Sequence, residues 1–587
     1  MDIHCAFSYS WLMTSHNTNS FSLNNFSLVV IGLLLSTTLP AATLLIRGGT
    51  LIDMTGHPPM HNANILIEDD HISRIWQGSS ESNYPSDTRI IEAKGKFIIP
   101  GLIDSHIHYN GYMGELFLAH GITTVNDLSS RPDWQTAVKK GLNSGQLRGP
   151  RYLYCKRIGK AEASEVAALV SAIRQQADCI RFDANSAEPL TIAVTAIADQ
   201  SHIGVIAHSY DALKSARLGI DGVEHLEGVA ISTIQSELGR KAVAGLTLEE
   251  GHKNPLLYQY MEPEHFDEVI QQLIAANVYL NPTLVHEWKG VINRTAQFEQ
   301  DELRLLNQPS LQYIPLDEKL VSLGQYHWAD PGLINATENE AVPEVFINNS
   351  YMIRTRTLRA QIEKGYRNIQ QFLRRFVRAG GKLYSGTDTA AASTPGLSLH
   401  HEMQLYVDAG ISTEAALASS TRWAAEQLRI EDKLGTISPG KLADLVILGA
   451  DPLKDIANTR RIEQVLLAGK PVDTSYHSDY HFPFQQFGIV TKHLYHLPPV
   501  LEKVIPGIAT QHSQTSIRIT GENFVPESLV LFDGETVRTT WVSPTELSAV
   551  LEPRHTSEPG SYLLGVSTPA PGGGRVESLE FIIDYPE

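Results

Sequence analysis

Ile98-Ile-Pro-Gly-Leu-Ile-Asp-Ser-His-Ile-His-Tyr-Asn110 is the stretch on which the fold reading turns. Apolar residues run up to Ile103, and Asp104, Ser105, His106 and His108 follow. On a strand, residues i and i+2 point to one face. His106 and His108 would then leave the end of a buried strand side by side, where two imidazoles can grip one transition metal. Two histidines in a surface loop would share this spacing, so the rest of the chain has to decide.

Downstream, strand and helix patterns alternate from residue 98 to about 425. Strands are expected at Gly121–Asp127, Arg151–Cys155, Asp178–Asp183, Ile203–His208, Gly222–His225, Val278–Thr283 and Lys382–Asp388. Helices are expected over Ser164–Ala177, Leu190–Gln200, Tyr210–Leu218, Phe266–Ala276 and Arg356–Ala379. With the opening stretch this makes eight strands, the pattern of an α/β fold of the closed (β/α)8 TIM-barrel type. Such barrels carry their chemistry at the C-terminal ends of the strands. His106, His108, His208, His225 and Asp388 all fall there, where a packed core has no need of polar residues. Residues 284 to about 355 are too long for a plain connection and read either as a lid or as a surface excursion or oligomer contact.

The flanks are all-β. Short strands fill Thr43 to Pro100, and those within Leu434–Leu448 and Ile462–Val472 can complete the same unit. Short alternating strands with turn residues return after residue 498 and suggest a separate sandwich. The reading divides the chain into a signal segment (1–42), the first part of a composite β-sandwich (43–97), the barrel (98–429), the second part (430–475), a linker (476–497) and a C-terminal β-sandwich (498–587). The linker is rich in His, Phe and Tyr, but its His477, His481, His493 and His496 show no metal-ligand spacing.

The net charge of -18 disfavours nucleic acid and anionic membranes as partners. Three cysteines, Cys5, Cys155 and Cys179, argue against a disulfide framework or a Cys-ligated zinc. Cys155 and Cys179 are expected as buried thiols rather than a bridge. Residues 1–42 hold no Lys or Arg, an apolar core Leu28–Leu35, and small residues ending at Ala41 and Ala42. That fits a cleaved secretory signal and a periplasmic or secreted protein, with an uncleaved anchor or a later true start as alternatives.

Taken together, the motifs resemble the amidohydrolase superfamily, in its imidazolonepropionase and prolidase-like branch, over roughly residues 43–475. The carriers are Phe97 to His108, Gly121-Ile-Thr-Thr-Val125, the paired His208 and His225, Ser385-Gly-Thr-Asp388, and Gly435 to Val446. The C-terminal module resembles IPT/TIG immunoglobulin-like domains, through Ile517-Arg-Ile-Thr-Gly-Glu-Asn-Phe524 and Val530-Leu-Phe532. Such modules usually serve as interaction or spacer domains. The first resemblance implies metal ligation by His106, His108, His208 and Asp388, with Asp388 also the general base. It implies that His225 binds a second metal or polarises the substrate carbonyl. Members of that branch often carry a carboxylated lysine on the fourth strand, bridging two metals. Here that position is Arg181, which has no lone pair and cannot form the carbamate. One Zn²⁺ per chain is therefore expected rather than two, other divalent metals being compatible.

Arg181 reads as a fixed cation or substrate-carboxylate clamp, or as the partner of Asp183 or a glutamate; Asp183 could alternatively replace the bridging lysine. Tyr109, Tyr210 and His286 are candidate substrate contacts. His400, His401 and Glu402 are expected in supporting or surface roles, and Glu224 is expected to point away from His225. The function that follows is an exported hydrolase of C–N bonds in a small amide or peptide, such as a dipeptide or N-acyl amino acid. Lactone, ester or amidine hydrolysis on the same fold, or a binding protein that has lost catalysis, are the alternatives. The C-terminal module would reach a protein or carbohydrate, and a homo-oligomer is compatible.

Overall fold

Leu102–Ile107 is the first strand of a parallel sheet in the computed structural model, with every residue buried. The structure describes residues 43–79, 84–158, 170, 177–183, 186–244, 255–324, 326, 346–347, 350–351, 356–389, 393–480, 482, 498–526, 528–568 and 574–585. The expected signal segment, the helix over Ser164–Ala177 and most of the linker, with His481, His493 and His496, lie outside the described residues, wholly or nearly so.

Six more strands follow in chain order across the sheet: Ile122–Asp127, Arg151–Ile158, Cys179–Phe182, Gly204–His208, Gly222–Glu224 and Tyr279–Asn281. Residues 382–389 close the ring as an irregular eighth segment. Tyr384 N donates to Leu280 O at 3.0 Å on one side, and Ser105 N to Ser385 O at 2.9 Å on the other. Gly386 permits that closure, since a Cβ there would stand 2.4 Å from His106 Cβ. Ile103, Leu153, Ile206, Tyr279 and Tyr384 pack together inside the barrel, which is a filled core and not a pore.

Cys155 and Cys179 stand opposite each other on adjacent strands and form a disulfide, with Cα atoms 4.3 Å apart. This corrects the expectation of two separate thiols. Their proximity comes from strand register, which cysteine spacing does not reveal.

The two flanks meet in one eight-stranded sheet. Thr43–Leu51 pairs with Met60–Glu68, Arg89–Glu92 and Phe97–Pro100, and the last of these pairs with Leu445–Leu448 from the far end of the chain. Leu44, Ile46, Ile65, Ile98, Leu445 and Ile447 fill its core. Phe97–Pro100 runs directly into the first barrel strand, so this sheet anchors the residues before His106. The C-terminal module is a sandwich of a four-stranded and a five-stranded sheet around Ile519, Phe532, Leu547, Val566 and Phe581.

After the seventh strand come helices Leu284–Trp288, Thr295–Leu306 and Leu316–Gly324. Trp288, Phe298, Leu306, Leu311 and Ile314 lie in the main barrel core. The described part is therefore packed structure rather than a surface excursion. Most of the expected segment beyond residue 326 lies outside the described residues. No helix among the described residues is long and apolar enough to cross a membrane.

Candidate metal centre

His106 and His108 do leave the first strand on one side, and Asp388 meets both. Asp388 Oδ1 is 3.3 Å from His106 Nε2 and 3.1 Å from His108 Nε2. His208, from the end of the fifth strand, places Nε2 3.1 Å from His225 Nε2. The His106 ring lies 5.8 Å from that of His208 and 5.1 Å from that of His225, between centroids. Among the described residues, two groups bring their ligand atoms within 4.8 Å of one another: His106, His108 and Asp388, and His106, His208 and His225. The four-ligand set implied by the resemblance is thus split into two groups that share His106.

Three turns hold these side chains in place. His225, Thr283 and Asp388 have φ of 59°, 47° and 49°, a left-handed backbone that non-glycine residues rarely adopt. Each costs of order 1–3 kcal/mol and is characteristic of sites where geometry matters more than stability. Asp388 N donates to His106 O at 2.8 Å and His225 N to Asn281 O at 2.8 Å, fixing both turns. The buried Asp104 carboxylate accepts from Thr387 N at 3.1 Å and Thr387 Oγ1 at 2.7 Å, tying the first strand to the eighth segment.

Glu224 is fully buried and faces inward, contrary to the outward direction expected from alternation. Its Oε2 is 2.6 Å from His106 Nδ1, and its Oε1 accepts from Tyr384 OH at 2.7 Å. The strand ends at Glu224, and the left-handed turn at His225 brings the next side chain back to the same interior. A neighbouring Glu-His pair at a strand end was the one available sign of this partner. Thr283 Oγ1, 2.6 Å from His225 Nδ1, and Glu287 Oε1, 3.5 Å from it, were also missed, because both depend on the turn after the seventh strand.

Arg181 lies inside the barrel, where Nη2 is 2.9 Å from His208 Nδ1 and Nη1 donates to Leu128 O. Asp183 instead takes Arg157, with Nε 2.7 Å from Oδ2. So the expected Arg181–Asp183 pair does not form, and Asp183 is engaged away from the histidines. His286 reaches the site, with Nε2 3.6 Å from Asp388 Oδ2. Tyr210 stands with His208 on a cleft of about 260 Å³. Tyr109 does not join them: it is fully buried and packs edge-on to Tyr152 at 5.3 Å and beside Phe117 and Trp134. One residue past His108 in an extended stretch, it faces the opposite way. His400, His401 and Glu402 are buried rather than on the surface. Glu402 accepts from the backbone N–H groups of Leu284 and Val285, at 2.9 and 2.6 Å.

The donor set fits a divalent cation. His106 Nε2 is buried and makes no hydrogen bond, while its other nitrogen rests on the Glu224 carboxylate. A metal-bound imidazole usually has such a carboxylate at its second nitrogen. Burial opposes a charge on His106, but Glu224 and Asp388 outweigh it and hold its pKa up to about 9. The two carboxylates thus call for positive charge at this point, which a cation would supply equally well.

The amidohydrolase family model matches residues 97–472. A Xaa-Pro dipeptidase with methionine in its active site is 20% identical, aligned over 73% of this chain and 100% of its own, with TM-score 0.47. Molinate hydrolase is 17% identical over 74% and 96%, with TM-score 0.49. The adenine deaminase of Ruegeria pomeroyi is 34% identical over 90 residues, 14% of this chain and 15% of its own. The chain therefore spans only about 15% of that curated relative's length. With the family match running from the last flank strand before the barrel to the return of the flank sheet, the chain belongs to the amidohydrolase family.

Proposed function

We propose that this chain hydrolyses a C–N bond in a small amide, such as a dipeptide or N-acyl amino acid, at a divalent-metal centre held by His106, His108 and Asp388. The reading rests chiefly on one observation. His106 Nε2 and His108 Nε2 converge on a single Asp388 oxygen, at 3.3 and 3.1 Å, with buried Glu224 behind His106. A bound divalent ion, zinc being the expected one, supplies Lewis acidity and a water of lowered pKa.

The chain's own residues do the rest. Asp388 accepts the water proton and returns it to the leaving amine. Its second oxygen lies 3.8 Å from His225 Nε2 and 3.6 Å from His286 Nε2, so both rings border the space where the substrate reacts. Buried Arg181 carries a fixed positive charge beside His208, where a second cation would otherwise have its place. This favours one metal per chain. Export is part of the proposal, on the strength of the apolar Leu28–Leu35 and the small residues after it. Cell fractionation tests it.

The test of function is zinc content measured beside a screen of dipeptides and N-acyl amino acids. About one zinc per chain and hydrolysis of at least one substrate are expected, both lost in His106→Ala. Intact hydrolysis in that variant would contradict the proposal. A second reading, deamination of an amidine-bearing base, is favoured by the 90-residue stretch that is 34% identical to adenine deaminase. Release of ammonia from adenine, without amide cleavage in the same screen, would select it.

A further inference from the structure

His208 holds the place of a ligand but has the wrong neighbour for one. A metal-bound imidazole normally donates its second N–H to a carboxylate, carbonyl or water. His106 obeys this, with Glu224 at Nδ1. His225 is also compatible, with Thr283 Oγ1 2.6 Å from Nδ1. His208 Nδ1 instead meets Arg181 Nη2 at 2.9 Å. A guanidinium has donors only, so His208 Nδ1 must accept. In the neutral ring the proton then sits on Nε2. That nitrogen is 3.1 Å from His225 Nε2, which serves as the acceptor. The donor direction is continuous, from Arg181 to His208 to His225 to Thr283.

We infer that His208 is not a metal ligand but a hydrogen-bond donor to the substrate, its Nε2–H aimed into the site by Arg181 acting as a positioning residue. Two further observations agree. His208 and His108 do not fall in one group of converging ligand atoms among the described residues. Arg181 is itself held, by Leu128 O and by burial in the barrel, so it cannot easily swing away. The substrate acceptor is a carbonyl oxygen, whose growing negative charge an N–H donor stabilises. The inference rests on the proposed metal-dependent hydrolysis and specifies which groups perform it.

The experiment compares zinc affinity, by chelator competition, in the wild-type chain, His208→Gln and His108→Gln, with kinetics on an amide found in the screen. His208→Gln should keep about one zinc with affinity within roughly threefold of wild type. His108→Gln should lose affinity by about 100-fold. In His208→Gln, kcat should fall about 100-fold with KM little changed. Loss of zinc from His208→Gln to the same degree as from His108→Gln would overturn the inference. X-ray absorption at the zinc edge of the wild-type protein needs no variant: two imidazoles are expected, and three would overturn it. In Arg181→Met the ring loses the partner that sets its tautomer, so kcat should fall while the imidazole count stays at two. An unchanged kcat would refute the positioning role. A wild-type chain that binds no zinc defeats the hydrolase reading itself, whereas zinc bound with His208 among its ligands defeats this inference alone.

Discussion

At the scale of single residues, Glu224 and His225 adjoin in sequence and yet both serve the barrel interior. Alternation would send them apart; the left-handed φ of 59° at His225 brings them together. If Glu224 holds His106 in its metal-binding orientation, Glu224→Gln should weaken zinc binding by about 10–100-fold. Chelator competition measures this, and an unchanged affinity would show that Glu224 is a bystander. A second residue sets an acid limit. His400 is buried, with Nε2 donating to His120 O at 2.9 Å and Nδ1 2.8 Å from Thr459 Oγ1. Burial first, then the positive fields of His120 and Arg460, push its pKa well below the ordinary 6.5. Below pH 6.5 the unfolded chain therefore takes up a proton that the folded chain refuses, and stability falls as pH falls. Between pH 7 and 5 this one group should cost at most about 2 kcal/mol, the limit set by protonation of the unfolded imidazole. His400→Gln, which keeps a donor and an acceptor, should lose that much less over the same interval in denaturant unfolding. Equal losses would contradict the assignment.

At the scale of elements, strand-end placement made most of the site legible in advance. His106, His108, His208, His225, His286 and Asp388 are all where the βα pattern puts them. What stayed hidden depends on register and turns. Cys155 meets Cys179 only because two strands pair with those residues opposite. Glu224 and Thr283 face His106 and His225 only because of left-handed turns. The helices after the seventh strand show the same limit. Their sequence reads as a lid or as a surface excursion or oligomer contact and gives no sign that Lys289 and Glu302 form a fully buried pair, with Nζ 3.0 Å from Oε1. Ser322 Oγ and Tyr326 OH donate to the same carboxylate, each at 2.6 Å. Burial lowers the Lys289 pKa, and Glu302 works against that shift. Removing one partner strands the other charge, so Glu302→Ala should destabilise the fold by about 3–5 kcal/mol. A loss under about 1 kcal/mol in denaturant unfolding would mean that the pair is open to water.

At the scale of the whole molecule, the chain closes twice around its barrel. The flank sheet joins strands from both ends of the amidohydrolase domain, with Ile98 in register with Ile447. The Cys155–Cys179 bridge links adjacent barrel strands across 24 residues. A loop of that size corresponds to about 3 kcal/mol of stabilisation through the unfolded chain. The Cys155→Ala, Cys179→Ala double variant should lose roughly that amount, and wild type under reducing conditions should approach it. No change in melting temperature would show that the bridge does not form in solution. The sulfurs lie two residues below Arg181, so the bridge also steadies the strand that carries the guanidinium to His208. All of this architecture converges on the space between His106, His108 and Asp388. The most direct test of the account is the metal content of the purified wild-type chain after equilibration with zinc and removal of excess. About one zinc per chain is expected; none, or two, would contradict a single centre held by His106, His108 and Asp388.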